Sequence, residues 1–252
     1  MNGPYIKDLN NSKKMFLNIL IGLIPILIYK LYLTKINGLI LLLVSCVIVL
    51  LTNNLVEYIN KSSKYKFNIL SNLYSLIIGI VTFLIVPSNT SVMLIFLANI
   101  ISISIFKFIN CINPIALSSF IIYMFFTITR TKVIVPEYNL YILIGISIII
   151  TIYLISKKAI KFRILFVFLF INLLGFMLKL DQNILYYIIV FGLFIIPELC
   201  STPKLAISQI LYGLILGILS VLLPIEYFIL SILIINVLNK YIDLYIAYYL
   251  AN

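Results

Sequence analysis

The sequence has 252 residues, of which 64% are hydrophobic and only 10% are charged. Soluble globular domains carry about 25% charged residues, so this composition excludes a soluble domain and indicates an integral membrane protein. A net charge of +11 would suggest a nucleic-acid partner in a soluble protein. Here the basic residues lie between apolar runs, and no nucleic acid is expected as a partner.

Apolar runs separated by short polar breaks continue along the whole chain, and a membrane-spanning helix needs about 17 to 25 such residues. The pattern predicts an all-α, polytopic membrane protein with about ten transmembrane helices in a single integral membrane domain over residues 1–252. Some of the ten are expected to be half-helices or re-entrant segments, which are tolerated where protein or a water-filled cavity covers the backbone. The predicted helices are 16–34, 36–52, 69–87, 91–108, 113–129, 138–156, 162–178, 184–199, 206–224 and 226–246.

Lysine and arginine residues are distributed unevenly among the connections between these helices. With the N-terminus inside, thirteen of the 18 fall in inner segments and five in outer ones. Short cytoplasmic loops are enriched in Lys and Arg, so the sequence predicts a multi-pass protein of the cell membrane with both termini in the cytoplasm. The five outer residues are Lys30, Lys35, Arg130, Lys132 and Lys179.

The chain contains no histidine and three cysteines. The lack of histidine excludes His-ligated haem and the usual His-containing metal sites. Three thiols cannot complete a four-thiolate iron–sulfur site without a partner chain. No metal site and no catalytic acid, base or nucleophile is therefore predicted.

Two acidic residues lie next to apolar runs. Glu198 follows Pro197 at the end of one run, and Glu226 lies in the sequence LLPIEYFIL on the outer side. Charges at such positions are costly unless they are paired or in contact with water, which makes both residues functional candidates. The alternative is a carboxylate in a solvated loop, and the sequence does not separate the two.

Two segments in the first half of the chain resemble those of a known family. The N-terminal segment GPYIKDLNNSKKMFLNILIGLIP opens with Pro-Tyr-Ile-Lys and continues through a Ser and a Met to an apolar run ending in Pro25. The segment INPIAL interrupts the apolar sequence at Asn113 and Pro114. Both are similar to segments of the family that contains the D subunit of Rnf electron-transport complexes and the B subunit of the sodium-pumping NADH:quinone oxidoreductase, although Ile115 departs from the family's Asn-Pro-Ala-Ala.

Two further segments in the second half support the same resemblance. ELCSTPKLAISQILYGLILGILSVL is similar to the family's Asp-x-x-Thr-Ser-Pro segment, with Glu198 in place of the Asp and Ser201 and Thr202 in place of Thr-Ser. Glu226 and Asn236 keep the spacing of the family's acidic residue and asparagine after a Pro-Glu-Gly turn, whose Gly is missing here.

The resemblance implies a subunit of a translocase-type oxidoreductase complex rather than an enzyme alone. It implies the bilayer and other subunits of a membrane redox complex as partners, a quinone as a candidate partner, and a noncovalent flavin, riboflavin or FMN, as cofactor. Helix N-termini after Pro114 and Pro203 would favour the negative charge of such a ligand. The implied cofactor-binding residues are Asn113, Pro114, Glu198, Ser201, Thr202, Glu226 and Asn236.

One departure from the family concerns the outer loop after the fifth predicted helix. Relatives carry a Ser-Gly-Ala-Thr motif there, whose Thr binds FMN through a phosphoester bond, whereas this chain has only TRTKVIVPEYN. Thr131 lies in that loop without the small neighbours of the motif, so no covalent FMN is expected.

Three functions remain open at this point. The first is the membrane subunit of a flavin-linked electron-transfer complex that translocates an ion. The second is a channel or carrier for a small solute or a flavin with the same fold and no redox activity. The third is a scaffold subunit that binds no ligand. A bound chromophore separates the first from the third, and solute uptake by liposomes separates the second from both.

Overall fold

The computed structural model describes residues 9–60, 69–109, 112–179, 182–197 and 202–251, and it is all-helical in these ranges. Nine α-helices and one π-helical segment, Phe191–Ile195, continuous with the seventh helix, occur in the described residues. The α-helices are α1 (Leu9–Asn60), α2 (Ile69–Ile85), α3 (Val92–Phe108), α4 (Pro114–Thr129), α5 (Leu140–Ser156), α6 (Phe162–Lys179), α7 (Gln182–Val190), α8 (Ala206–Leu222) and α9 (Ile225–Ala251).

Helix α1 is a hairpin of two arms that meet at Lys35. This residue has a left-handed φ of 53°, which breaks the helix between residues 34 and 36. The first arm runs parallel to α2, because Phe16 packs on Tyr74 and Lys30 bonds to the far end of α2. The second arm runs antiparallel to α2, because Ser45 bonds to Gly79 and Asn53 bonds to Asn72. The apolar part of α1, Ser12–Ile59, is therefore long enough to cross a bilayer twice.

Contacts between the other helices continue this alternation of direction. Tyr153 pairs with Asn18 and Asn139 with Tyr29, which sets α5 antiparallel to the first arm of α1. Tyr212 pairs with Asn236 and Lys204 with Asp243, which sets α9 antiparallel to α8. Ten helical segments thus alternate in direction through the described residues. We call the end that holds Leu9 and Ala251 the lower end, and the end that holds Lys35 the upper end.

The ten helices predicted from the apolar runs are all present in the described residues. Most boundaries agree within a few residues. The main difference is at the second arm of α1, which extends to Asn60, whereas the prediction ended it at residue 52. The stretch TNNLVEYIN is polar enough to be read as a loop, yet it remains helical because α2 and α3 pack against it.

One helix begins and another ends inside the bundle: α4 begins at Pro114, and the segment formed by α7 and the π-helical turn ends at Ile195. Ile77, in the middle of α2, lines the same cavity as Ile115 in the first turn of α4 and as Leu193 and Pro197 below α7. Ser118 in α4 lies 3.1 Å from Thr82 of α2, which also places the start of α4 well above the lower end. The start of α4 and the end of the α7 segment therefore meet near mid-height.

Candidate functional site

Asn113 joins the two interrupted helices. Its Oδ1 caps α4 by accepting from the backbone N–H groups of Ile115 (2.9 Å) and Ala116 (3.1 Å). Its Nδ2 donates to the carbonyl oxygen of Ile195, at the end of the π-helical segment, over 3.3 Å. The side chain is completely buried, and Pro114 occupies the first position of α4, where its missing N–H costs nothing. These contacts already occupy the two amides that would otherwise attract an anion to α4.

The segment that faces Asn113 is π-helical. The defining hydrogen bond of a π-helix joins residues five apart, and here Ile196 donates to the carbonyl oxygen of Phe191 over 2.9 Å. Single π-turns are rare and often lie at functional sites. A Cβ atom at Gly192 would lie 3.0 Å from the Phe168 ring, so the lack of a side chain lets this turn pack on α6.

A small apolar cavity lies beside this junction. Its volume is about 30 Å³, enough for one or two water molecules. Pockets for ligands of flavin size are usually about 300 Å³ or more, so a flavin does not fit the cavity in this form. The lining residues are Phe16, Ile19, Tyr74, Ile77, Ile115, Ala159, Ile160, Leu193, Phe194 and Pro197.

Thr202 lies at the lower end, beside the connection between α5 and α6. Lys161 donates from Nζ to the Thr202 hydroxyl, to the Thr202 carbonyl oxygen at 3.1 Å and to the Pro203 carbonyl oxygen at 3.2 Å. Thr202 is buried, and Lys161 brings a positive charge to it. Glu198 and Ser201, the neighbouring predicted residues, lie outside the described residues.

Asn236 and Glu226 both lie in α9 but at different heights. Asn236 is buried and accepts a hydrogen bond from the Tyr212 hydroxyl over 2.7 Å. Seven residues further, Asp243 accepts from the backbone N–H of Lys204 over 2.8 Å and so stabilises the start of α8. Glu226 is half-buried in the first turn of α9, at the upper end. The described residues of the predicted set are thus distributed over the junction, the lower end and the two halves of α9.

A charged cluster at the lower end was missed by the sequence reasoning. Lys107 of α3 and Glu57 of α1 form an ion pair of 2.7 Å with mostly buried side chains. The Ser71 hydroxyl of α2 has one proton to donate and lies 2.5 Å from the Glu57 carboxylate and 3.0 Å from Asn53 Oδ1. Asn53 donates to Asn72 over 3.2 Å. We call Asn53, Glu57, Ser71, Asn72 and Lys107 the lower cluster. The available signal was the four-residue spacing of Asn53 and Glu57, which puts both on one face of a helix.

Lys30 is the second charged group inside the bundle, and the sequence prediction had placed it in an outer connection. Its Nζ donates to the carbonyl oxygens of Phe83 (2.7 Å), Leu84 (2.9 Å) and Val86 (2.7 Å). Only 2% of the residue is exposed. The ammonium group thereby caps the C-terminus of α2, where the helix dipole favours a positive charge.

Comparison with protein families gives one match, to the model described as the NQR2, RnfD, RnfE family, over residues 1–137. This range is more than half of the 252 residues and covers α1 to α4 with the loop that follows. The chain belongs to this family. No curated protein matches the chain.

Family membership makes the chain an Rnf/Nqr-type membrane subunit, and such subunits belong to multi-subunit membrane complexes. The junction residues Asn113 and Pro114 and the whole lower cluster lie within the matched range. Glu198, Ser201, Thr202, Glu226 and Asn236 lie outside it. The cofactor-binding roles of all seven predicted residues stay predictions.

Proposed function

We propose that the chain is the membrane subunit of a flavin-linked electron-transfer complex that translocates an ion, and that it carries no covalently bound FMN. The observation that carries this proposal is the lower cluster, an ion pair held between three helices in the part of the chain that matches the family. The pair lies in the last turns of α1 and α3, yet both side chains are mostly buried. Buried ionised side chains in membrane helices are costly and often mark ion pathways.

The absence of covalent FMN rests on the connection between α4 and α5. Residues 130–139 form an irregular strap without the Ser-Gly-Ala-Thr motif. Asn89 and Ser88 hold this strap through the backbone of Lys132 and Ile134, at 2.9 Å in each case. Thr131 contacts the Thr129 hydroxyl over 2.9 Å and has no small residues beside it to make room for a phosphoester.

A noncovalent flavin or a quinone requires more space than the cavity at the junction offers. Our proposal puts such a ligand at the lower rim of this cavity, between Pro197 and Thr202, which accepts hydrogen bonds from Lys161. The positive charge of Lys161 favours a ligand with negative charge. The ligand does not bind at the N-termini of α4 and α8 themselves, because Asn113 and Asp243 already accept hydrogen bonds from the backbone N–H groups there.

The first experiment is purification of the full chain from its own membrane in mild detergent, with identification of co-purifying subunits. Absorbance spectra before and after acid precipitation then follow the flavin. We expect redox partner subunits and a flavin that moves to the supernatant. Flavin that stays in the precipitate would contradict the loss of covalent attachment.

The absence of both flavin and partner subunits from folded, monodisperse protein would overturn the proposal. The channel hypothesis would then be tested by solute uptake into liposomes that contain the chain alone. Uptake by such liposomes requires neither partners nor flavin, which keeps the two functions distinguishable.

A further inference from the structure

The connection between α5 and α6 carries a concentration of positive charge at the lower end. Its sequence, KKAIKFR, contains four basic residues and no acidic one. Three of the four are exposed, and none of these three forms an ion pair with a residue that the structure describes. We call these three the basic patch: Lys157, Lys158 and Arg163. The fourth, Lys161, is turned toward Thr202 and does not belong to the patch.

The ends of the two helices do not account for all of this charge. Lys157 and Lys158 follow α5, and the C-terminus of a helix favours positive charge. Arg163, however, lies in the first turn of α6, where the helix dipole disfavours a cation. Lys158 has a left-handed φ of 51°, a conformation that favours glycine. Two of the three basic residues thus occupy positions that the local backbone disfavours.

A tight turn after α5 keeps the patch at the surface of the bundle. The backbone N–H of Ala159 donates to the Leu154 carbonyl oxygen over 2.9 Å. The N–H of Lys158 donates to the Ile155 carbonyl oxygen, also over 2.9 Å. Ala159 is completely buried and fixes the turn, whereas Lys158 is exposed. A ligand can therefore reach the patch without opening the bundle.

A row of phenylalanine rings begins next to the basic patch and continues up α6. Phe162, Phe166 and Phe170 follow one another at four-residue spacing, so they lie on one face of the helix. The ring centroids of the first two are 5.7 Å apart, and those of the last two are 6.3 Å apart. At least half of each residue is exposed. In a membrane this row faces the lipid chains.

The patch and the row together define the class of ligand. A phosphate group complements the positive charge, and the first backbone N–H groups of a helix such as α6 add donors for it. An acyl chain complements the row of rings. A free anion would use the patch alone, and a neutral lipid would use the rings alone. Basic pockets at the ends of membrane helices bind the headgroups of anionic lipids in this way.

We infer that the basic patch and the phenylalanine row form a binding site for an anionic phospholipid, with the phosphate at the patch and an acyl chain along the row. The site lies where two helix pairs meet. Helix α5 bonds to α1 through Tyr153 and Asn18, and α6 bonds to α8 through Asn172 and Ser220. A lipid bound here bridges the two pairs and stabilises the bundle. This inference goes beyond the proposed electron-transfer role and does not depend on it.

The test measures the thermal unfolding of the full-length chain in detergent after addition of phosphatidylglycerol, phosphatidylcholine or inorganic phosphate. Ligands that bind the folded state raise the unfolding midpoint. We expect phosphatidylglycerol to raise the midpoint more than phosphatidylcholine does at the same mole fraction. Inorganic phosphate at the same concentration should leave the midpoint unchanged, because it cannot contact the rings.

The double variant Lys158→Gln/Arg163→Gln should lose more than half of the shift that phosphatidylglycerol causes. Arg130→Gln/Lys132→Gln is the matched control, because it also removes one lysine and one arginine, both exposed, but at the upper end. Arg130 has a left-handed φ of 52°, like Lys158, so the two double variants change the backbone preference in the same way. The control should keep the full shift.

Three results would overturn the inference. Equal losses of the shift in the two double variants would show that the lipid responds to net charge alone. A shift that inorganic phosphate reproduces would show that the patch binds a free anion. Equal shifts with phosphatidylglycerol and phosphatidylcholine would favour an acidic surface of a partner subunit as the occupant of the patch.

Discussion

Asn113 uses both ends of one amide group, and this dual use sets it apart from the other asparagine caps in the chain. Asn139 caps α5 in the same way, accepting from Tyr141 over 3.1 Å and from Ile142 over 3.4 Å, but it is exposed. Asn113 is buried and bonds in addition to Ile195. Substituting each residue in turn therefore distinguishes the stability gained from a helix cap from the stability gained by bonding two helices together.

We predict that Asn113→Ala destabilises the protein more than Asn139→Ala. Loss of a cap alone costs about 1 kcal/mol. The Asn113 substitution also leaves the buried Ile195 carbonyl without its donor, which adds about 1 to 3 kcal/mol. Unfolding midpoints in detergent, measured on both variants side by side, test the difference. Equal losses of stability would show that the bond to Ile195 contributes nothing.

At the scale of helices, the packing of α1 against α2 depends on Gly79. A Cβ atom there would lie 2.9 Å from the Cα atom of Cys46, which belongs to the backbone and cannot rotate away. The same contact surface carries the bond from Ser45 to Gly79 and, through Ser45, the contact with Asn99. A small residue in α2 thus sets how closely α1 and α2 approach each other.

We predict that Gly79→Ala separates α1 from α2 and destabilises the protein by about 1 to 3 kcal/mol, the usual cost of overpacking. Gly145→Ala in α5 is the control, because nothing lies within 4 Å of its Cβ position. Heating each variant before size-exclusion chromatography gives the fraction that remains monodisperse. If Gly79→Ala is as stable as Gly145→Ala, the close approach of the two helices is not required.

For the molecule as a whole, the apolar runs predicted the helices. They did not predict which charged residues are buried in the bundle. Run length and polar breaks suffice for helices because each span must satisfy its own backbone hydrogen bonds. Glu57 fell in the connection between the predicted helices 36–52 and 69–87, and Lys30 was counted among the outer residues. Their burial depends on partners in distant segments, Lys107 and the carbonyl oxygens at the end of α2, and no local pattern contains those contacts.

The motif residues show the same limit. Asn113 was predicted as a cofactor-binding residue, which stays a prediction, and its bond to Ile195 joins positions 82 residues apart. Asn236 and Asp243 of α9 likewise contact Tyr212 in α8 and Lys204 just before α8. Sequence spacing identifies such residues as candidates for a specific contact. It does not show whether that contact is with a ligand or with another helix.

The membrane orientation of the whole chain is the last prediction. Ten segments that alternate in direction bring Leu9 and Ala251 to one end, and if every segment crosses the bilayer both termini lie on one side. The lower end carries Lys107, Lys157, Lys158, Lys161, Arg163 and Lys204. Because cytoplasmic connections are enriched in Lys and Arg, we expect the lower end to face the cytoplasm.

Labelling of single cysteines with a membrane-impermeant maleimide tests this orientation in a background without the three native cysteines. Lys132, on the strap at the upper end, and Lys157, after α5 at the lower end, are both exposed and serve as a matched pair. The Lys132→Cys variant should react in intact cells, and the Lys157→Cys variant only after the membrane is permeabilised. The reverse pattern would place the lower cluster at the outer surface of the cell and would contradict the predicted orientation.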